Sequence, residues 1–366
     1  MKVLFIGGTG NISSACTDEA LGRGYEVFHL NRGTHPEREK PGVRTLKADI
    51  RDTQAVKAAL RGLRFDSVVQ FLAFRPEHVK ADIEIFDGIT DQYVLISTCS
   101  AYRKPSLTPV ITEDTPLENP FWEYSRLKIA CEWVLAGSGA ASHTGNGEET
   151  ARTEEKVRII KEKARDEDAV FSEAEQRSFP YTIVRPSHTY DNGWIPGCFG
   201  SASYGLAWRM LNGLEVVVPG DGQSLWTLTH ASDFAVGLVG LLGKREALGQ
   251  AFHITSDEHL TWDAIHSIIG EALGVQPKIV HIPSDFIAKV LPERGAGLLG
   301  DKAVSVLFDN SKIRRFVPEF APRISFTEGI HRSLAWFDAH PDLKVPDKAM
   351  NADMDAILER WQLCAQ

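Results

Sequence analysis

The chain begins MKVLFIGGTGNISSAC (residues 1–16), and the stretch GGTGNIS at 7–13 decides how the rest is read. Ahead of it, VLFIG (3–7) is continuously apolar rather than alternating, the pattern of a strand covered on both faces. Behind it, residues 11–23 carry helical spacing. Strand, glycine turn and helix start, in that order, let a pyrophosphate approach the backbone, because the first N–H groups of a helix are unpaired and partly positive. Gly7 permits the sharp turn and Gly10 the close approach, with Asn11 and Ile12 at the head of the helix. Ser13 stands where a third spaced glycine is expected. A small side chain there bears on how tightly helix and strand pack and leaves a dinucleotide site usable.

The same alternation continues outward. EVFHL (26–30), SVVQFLA (67–73), YVLIS (93–97), YTIVRP (181–186) and EVVVPG (215–220) read as further buried strands, and 52–62 as a helix. The expected fold is therefore α/β, a Rossmann-type doubly wound parallel sheet with a smaller C-terminal α/β lobe. The expected division is a dinucleotide-binding domain over 1–186 plus about 225–255, and a substrate lobe over 187–224 and 256–366. In the lobe, AFHITSDEHLTWDAIHSIIGEAL pairs a strand with a helix capped by Thr261. Residues 137–178 start as a linker, GSGAASHTGNG, and continue into a charge-dense segment with Val157, Ile160 and Ala164 at helical spacing. This insertion reads as a solvated excursion, or more sharply as a lid or subunit contact.

Composition narrows the function classes. Of 366 residues, 43% are hydrophobic and 24% charged, which suits a globular protein with a large core, and the net charge of −9 disfavours nucleic acid or an anionic membrane as the main partner. Five scattered cysteines without a C-x-x-C pair fit a reducing, cytoplasmic setting. The N-terminal apolar run is too short for a signal peptide and no segment reaches the length of a membrane span. The histidines show no metal-ligand spacing, so no metal is expected.

Two further segments bear on the cofactor. The second strand ends in LNRG rather than in a carboxylate: Asn31 can bond a ribose hydroxyl, and Arg32 can pair with a 2′-phosphate. The cofactor is thus expected to be NAD(P), leaning to NADP. In KADIRD, Asp49 is placed to accept from the adenine amino group beside Ile50, or else to cap the helix at 52–62.

Chemistry for such a cofactor is offered by FWEYSRLKIACEW, where Tyr124 and Lys128 are four apart and share a helix face. A phenol beside an ammonium is expected to have its pKa lowered, which suits it to acid–base work on a carbonyl or alcohol. Upstream, YVLIS runs into STCSAY, whose Thr98, or Ser97 beside it, can donate to the reacting oxygen from the C-terminal edge of a strand. Glycine turn, strand-end hydroxyl and Y-x-x-x-K, in that order, are far more specific together than apart.

With GGTGNIS, KADIRD, VVQFLAF, LISTCSAY, Tyr124/Lys128, IVRPSHTYD and GDGQSLWTLTHASDFA, the chain resembles the extended short-chain dehydrogenases/reductases of the NAD-dependent epimerase/dehydratase family, over roughly 1–136 and 180–335. The resemblance implies Tyr124 as acid/base, Lys128 holding the nicotinamide ribose and tuning the tyrosine, and Thr98 polarising the substrate oxygen. It implies Phe71 and Ala73 in the cofactor cleft, with Ser97 on the same side. It sets Arg185, Pro186 and Ser187 beside nicotinamide and substrate, with Ser100 and His188 as further substrate contacts. His230 and Asp233 match a structural turn that closes the substrate lobe. The implied activity is reversible hydride transfer at a secondary alcohol or ketone of a sugar or sugar-nucleotide-like substrate, by an epimerase or a reductase. Where many members clamp a diphosphate with arginine, four residues before the matching histidine, this chain has Trp226, which suits stacking on a sugar. The stretch 75–92 is shorter than the family's usual helix there, which commonly builds a homodimer interface. LISTCSAY and FDNSKIRRFVPEF also resemble the chloroplast stem-loop-binding branch, which implies RNA binding as one rival to catalysis; a non-catalytic protein that uses the dinucleotide as a ligand is the other.

Overall fold

The computed structural model describes residues 1–138, 179–199 and 203–364. The 137–178 insertion lies almost wholly outside the described residues. The first five strands are β1 (Lys2–Ile6), β2 (Glu26–Asn31), β3 (Arg44–Lys47), β4 (Ser67–Gln70) and β5 (Tyr93–Ile96). With β7 (Tyr181–Pro186) and β12 (Gln250–Ile254) they form one seven-stranded parallel sheet in the order β12-β7-β5-β4-β1-β2-β3. This is the doubly wound, Rossmann-type architecture. The order reverses beside β1, with β2 on one side and β4 on the other, so a crevice opens where the chain leaves β1.

The continuous apolar character of these strands has its cause in two covered faces. Along β1, Val3 and Phe5 enter one core and Leu4 and Ile6 the other, as the two-residue period of a strand requires. The first core lies under α1 (Asn11–Gly22) and a helix over Ala231–Leu241 that supplies Phe234 and Leu238. The second lies under α2 (Thr53–Ala59), α3 (Pro76–Phe86) and α4 (Glu123–Ser138), with Val56, Phe86, Cys131 and Leu135.

A third core lies in the C-terminal part, around Trp226, Trp262, Ile265, Ile282, Ile330 and Ile357. Its strands pair in twos: β8 (His188–Tyr190) with β11 (Leu228–His230), β9 (Glu215–Pro219) with β14 (Lys278–Ile282), and β10 (Leu225–Trp226) with β13 (Leu260–Thr261). β6 (Val110–Ile111) also pairs with β15 (Leu307–Phe308), so a segment from before α4 is stitched to this part. Thr261 caps the helix Trp262–Leu273 by accepting from the Ala264 N–H, as its sequence suggests. Asp233 accepts from the Arg323 and Ile324 N–H groups and ties the end of the lobe to the helix that begins after His230.

EVVVP is a strand that pairs with β14 in a two-stranded sheet apart from the large one. Two expectations change. The strand at 67 stops at Gln70, because the Gln70 side chain accepts the Leu72 N–H and the chain leaves the ladder. Asp52, not Asp49, caps α2, accepting from the Ala55 N–H. No helix of the described residues is long and apolar enough to cross a membrane.

Candidate active site

The strands of the large sheet deliver the site residues at their C-terminal ends. After β1, Gly7 has φ +82°, and a Cβ on it would meet Leu72 at 2.7 Å. A Cβ on Gly8 would lie 2.3 Å from the buried His29 ring, so both positions demand glycine. Ser13 does more than fill the third position: its hydroxyl donates to the Gly7 carbonyl at 2.7 Å and accepts from the Gly10 N–H at 2.9 Å. The loop is thereby held in shape, and Asn11 and Ile12 open α1 with amides that lack intrahelical acceptors.

At the end of β2 the arrangement differs from expectation. Asn31 Nδ2 donates to Glu39 Oε1 at 2.5 Å, and its Oδ1 accepts from the Gly33 N–H. Glu39 also accepts from Thr45 Oγ1 at 2.8 Å and faces His29 Nδ1 at 3.4 Å. Burial pushes the Glu39 carboxyl up, but the bonds from Asn31 and Thr45 and the His29 charge hold it below its ordinary value. A carboxylate therefore stands beside Asn31 after all. Arg32 and Asp49 are exposed, Asp49 accepting from the Arg51 N–H, and Ile50 is buried. None of these four lines the central cavity. After β4, Phe71 packs edge-on against Phe5 and Ala73 is buried.

The acid–base candidates come together on α4 and β5. Tyr124, Lys128 and Glu132 follow at intervals of four and share the inner face. Lys128 Nζ donates to the carbonyls of Ala73 at 2.6 Å and Ile96 at 2.8 Å and lies 4.6 Å from the Phe74 ring centroid. Thr98 hydrogen-bonds Tyr124, and Thr98, Ser100 and Ser125 form a hydroxyl chain with links of 3.0 and 2.7 Å. Ser97 turns its hydroxyl to Glu132, whose carboxylate holds Arg185 at 2.6 and 3.0 Å, all of them buried. That ion pair bolts α4 to the ends of β5 and β7.

The expected activation of the phenol is not what the resting site shows. Burial pushes Tyr124 up to about 12, against the lowering by the Thr98 bond, and pulls Lys128 down to about 8. The ammonium is spent on two carbonyls and sits 6.0 Å from the Tyr124 ring, so desolvation outweighs it. Tyr124 is a proton donor in this state.

A cavity of about 300 Å³ unites the two halves. Ile12, Ser97, Thr98, Ser100, Tyr124, Pro186, Ser187, His188 and Trp226 all line it, drawn from five separate segments. Among the described residues no cluster of His, Cys, Asp and Glu could hold a metal ion.

Residues 3–145 match the NAD dependent epimerase/dehydratase family. That stretch takes in the glycine turn, Thr98, Tyr124 and Lys128. The chain is 24% identical over 324 residues to the 2′-dehydrokanamycin reductase of Streptomyces kanamyceticus, spanning 88% of this chain and 81% of that protein. It is 23% identical over 300 residues to the chloroplast stem-loop binding protein of 41 kDa b of Arabidopsis thaliana, spanning 78% and 67%. Among solved structures, MoeE5 in complex with UDP-glucose and NAD shares the fold with a TM-score of 0.65 and 18% identity, covering 93% of this chain and all of that one.

Several cavity residues escape the sequence reading. Trp122, Trp194, Thr227, Asp301, Lys302 and Phe308 also line it. Glu132 carried a signal, its four-residue step from Lys128. Asp301 and Lys302 carried none, since they reach the site only through the packing of the lobe.

Proposed function

We propose that the protein is an NAD(P)-dependent oxidoreductase or epimerase acting on a secondary alcohol or ketone of a sugar or sugar derivative. The observation that carries this reading is the convergence of Thr98, Tyr124 and Ile12 from the sheet with Ser187, His188 and Trp226 from the lobe on one cavity. The glycine turn fits a dinucleotide, because it presents the start of α1 at Asn11 beside Gly10, where a Cβ would meet only the Ser13 hydroxyl at 3.4 Å. When bound, the nicotinamide supplies hydride exchange with the substrate carbon. Phe71, Ala73 and Pro186 would flank it, and Lys128 would reach its ribose. Tyr124, protonated at neutral pH, gives its proton to the carbonyl oxygen as charge develops there, and Thr98 holds the phenol in place.

For the cofactor we propose NAD, reversing the lean that Arg32 suggested. Glu39 puts negative charge beside Asn31, which repels a 2′-phosphate and can accept from ribose hydroxyls. Glu39→Gln is expected to improve NADP binding about tenfold against NAD by fluorescence titration; an unchanged ratio refutes the assignment.

The activity is tested by identifying the nucleotide released from denatured protein and by following reduced-nicotinamide absorbance with sugar ketones. Stoichiometric consumption marks a reductase, and conversion without consumption an epimerase. Failure to bind either dinucleotide would sink the reading. Likeness to a stem-loop-binding protein keeps RNA binding as the rival, recognised by affinity that falls steeply with salt.

A further inference from the structure

The lobe wall of the cavity carries a recognisable chemistry. Trp226 is buried against Trp262, their rings stacked at 5.5 Å and 23°, and its indole N–H has no partner among the described residues. Lys302 Nζ sits 5.6 Å from the Trp122 ring centroid and 5.9 Å from that of Trp226, between two rings that line the cavity. Among the described residues no carboxylate lies within ion-pair distance of Lys302. Its neighbour Asp301 is engaged 3.7 Å from the buried Lys104. His188 lines the same space, its Nε2 buried and unpartnered, and burial together with the Lys302 charge holds its pKa down to about 3. The wall therefore offers two donors lacking acceptors, an ammonium and an indole N–H, beside a neutral imidazole.

We propose that this cavity takes a monosaccharide carrying a single anionic group on the sugar itself, a carboxylate or a monoester phosphate, bound by Lys302 and the Trp226 N–H. The ring would lie against Trp122 and Trp194, whose faces suit the C–H surface of a pyranose. A sugar nucleotide fits this wall poorly. One cation and one N–H match one anionic group, and a tryptophan occupies the position where the family resemblance implies the arginine for a diphosphate. The volume, about 300 Å³, lies at the lower end of the roughly 300–1,000 Å³ common for small-molecule sites. A buried N–H and a half-buried ammonium left without acceptors favour the ligand that supplies them over neutral analogues.

The inference rests on the proposed sugar-directed activity, and its test is independent of turnover. Full-length protein saturated with NAD is titrated calorimetrically with glucuronate, galacturonate, glucose 6-phosphate, galactose 6-phosphate, glucose, galactose and UDP-glucose. At least one acidic monosaccharide is expected to bind about tenfold or more tightly than both neutral sugars and UDP-glucose. The carboxylate and phosphate arms tell which anion is preferred. Lys302→Gln is expected to erase that advantage while NAD affinity stays unchanged, which separates it from a folding defect. UDP-glucose binding tightest, neutral hexoses matching the acidic ones, no sugar binding at all, or an advantage that survives Lys302→Gln would each overturn the proposal. Failure of NAD binding would instead strike the functional reading.

Discussion

On the sheet side of the cavity the charged groups already have partners. Lys128 is held by two backbone carbonyls, and Glu132 by Ser97 and Arg185, all in the interior. On the lobe side, Trp226 Nε1 and His188 Nε2 are buried without partners among the described residues, and Lys302 lies near the rings of Trp122 and Trp226. A buried charge tolerates no vacancy, so the groups that set the geometry of proton transfer are fixed before any ligand arrives. Neutral polar atoms can wait unpaired at modest cost, and the ligand that satisfies them gains that cost back as specificity. Under the proposed function, the satisfied wall serves the chemistry and the unsatisfied one chooses what undergoes it.

The sharpest way to break this contrast is Tyr124→Phe. We expect kcat to fall by about 10²–10⁴ with KM little changed; a change confined to KM would make the sheet wall a binding surface. Next comes Glu132→Ala, which strands the buried Arg185 guanidinium and is expected to cost about 3–5 kcal/mol in urea unfolding. Unaltered stability would show that the sheet side is not locked in advance.

A smaller effect tests the one sheet-side carboxylate with an idle oxygen. Asp82 accepts from Gln70 and Tyr93 on Oδ2, but its Oδ1 is buried without a partner, and burial raises its pKa to about 6. A folded pKa above the unfolded value means the native state gains protons over roughly pH 4–6, so this group's contribution to stability is full below that window and lost above it. Asp82→Asn should therefore stabilise by about 2 kcal/mol at pH 7.5, with the gain vanishing toward pH 4 in thermal melts. A gain independent of pH would assign it to packing.

The smallest change, Trp226→Phe, removes the waiting N–H and keeps an aromatic ring. Stability should hold or rise slightly, while KM rises several-fold at constant kcat. Lost stability would mean that the lobe wall, like the sheet wall, is already satisfied.

What the sequence determined by itself was everything carried by contiguous residues. The glycine turn after an apolar run, the parallel sheet, and the shared face of Tyr124 and Lys128 were legible because strand and helix periods act within a dozen residues. The site at the strand ends followed from topology. Only the tertiary structure decided the rest. EVVVP found its partner in β14, because strand pairing is chosen among distant segments. Glu39 came to stand beside Asn31, and Lys302 beside Trp122 and Trp226, through folding that no local pattern records. The tyrosine's pKa rose where its neighbour's charge suggested a fall. Desolvation depends on what the whole chain packs around a group, and near the Tyr124 hydroxyl it outweighs an ammonium already held by two carbonyls.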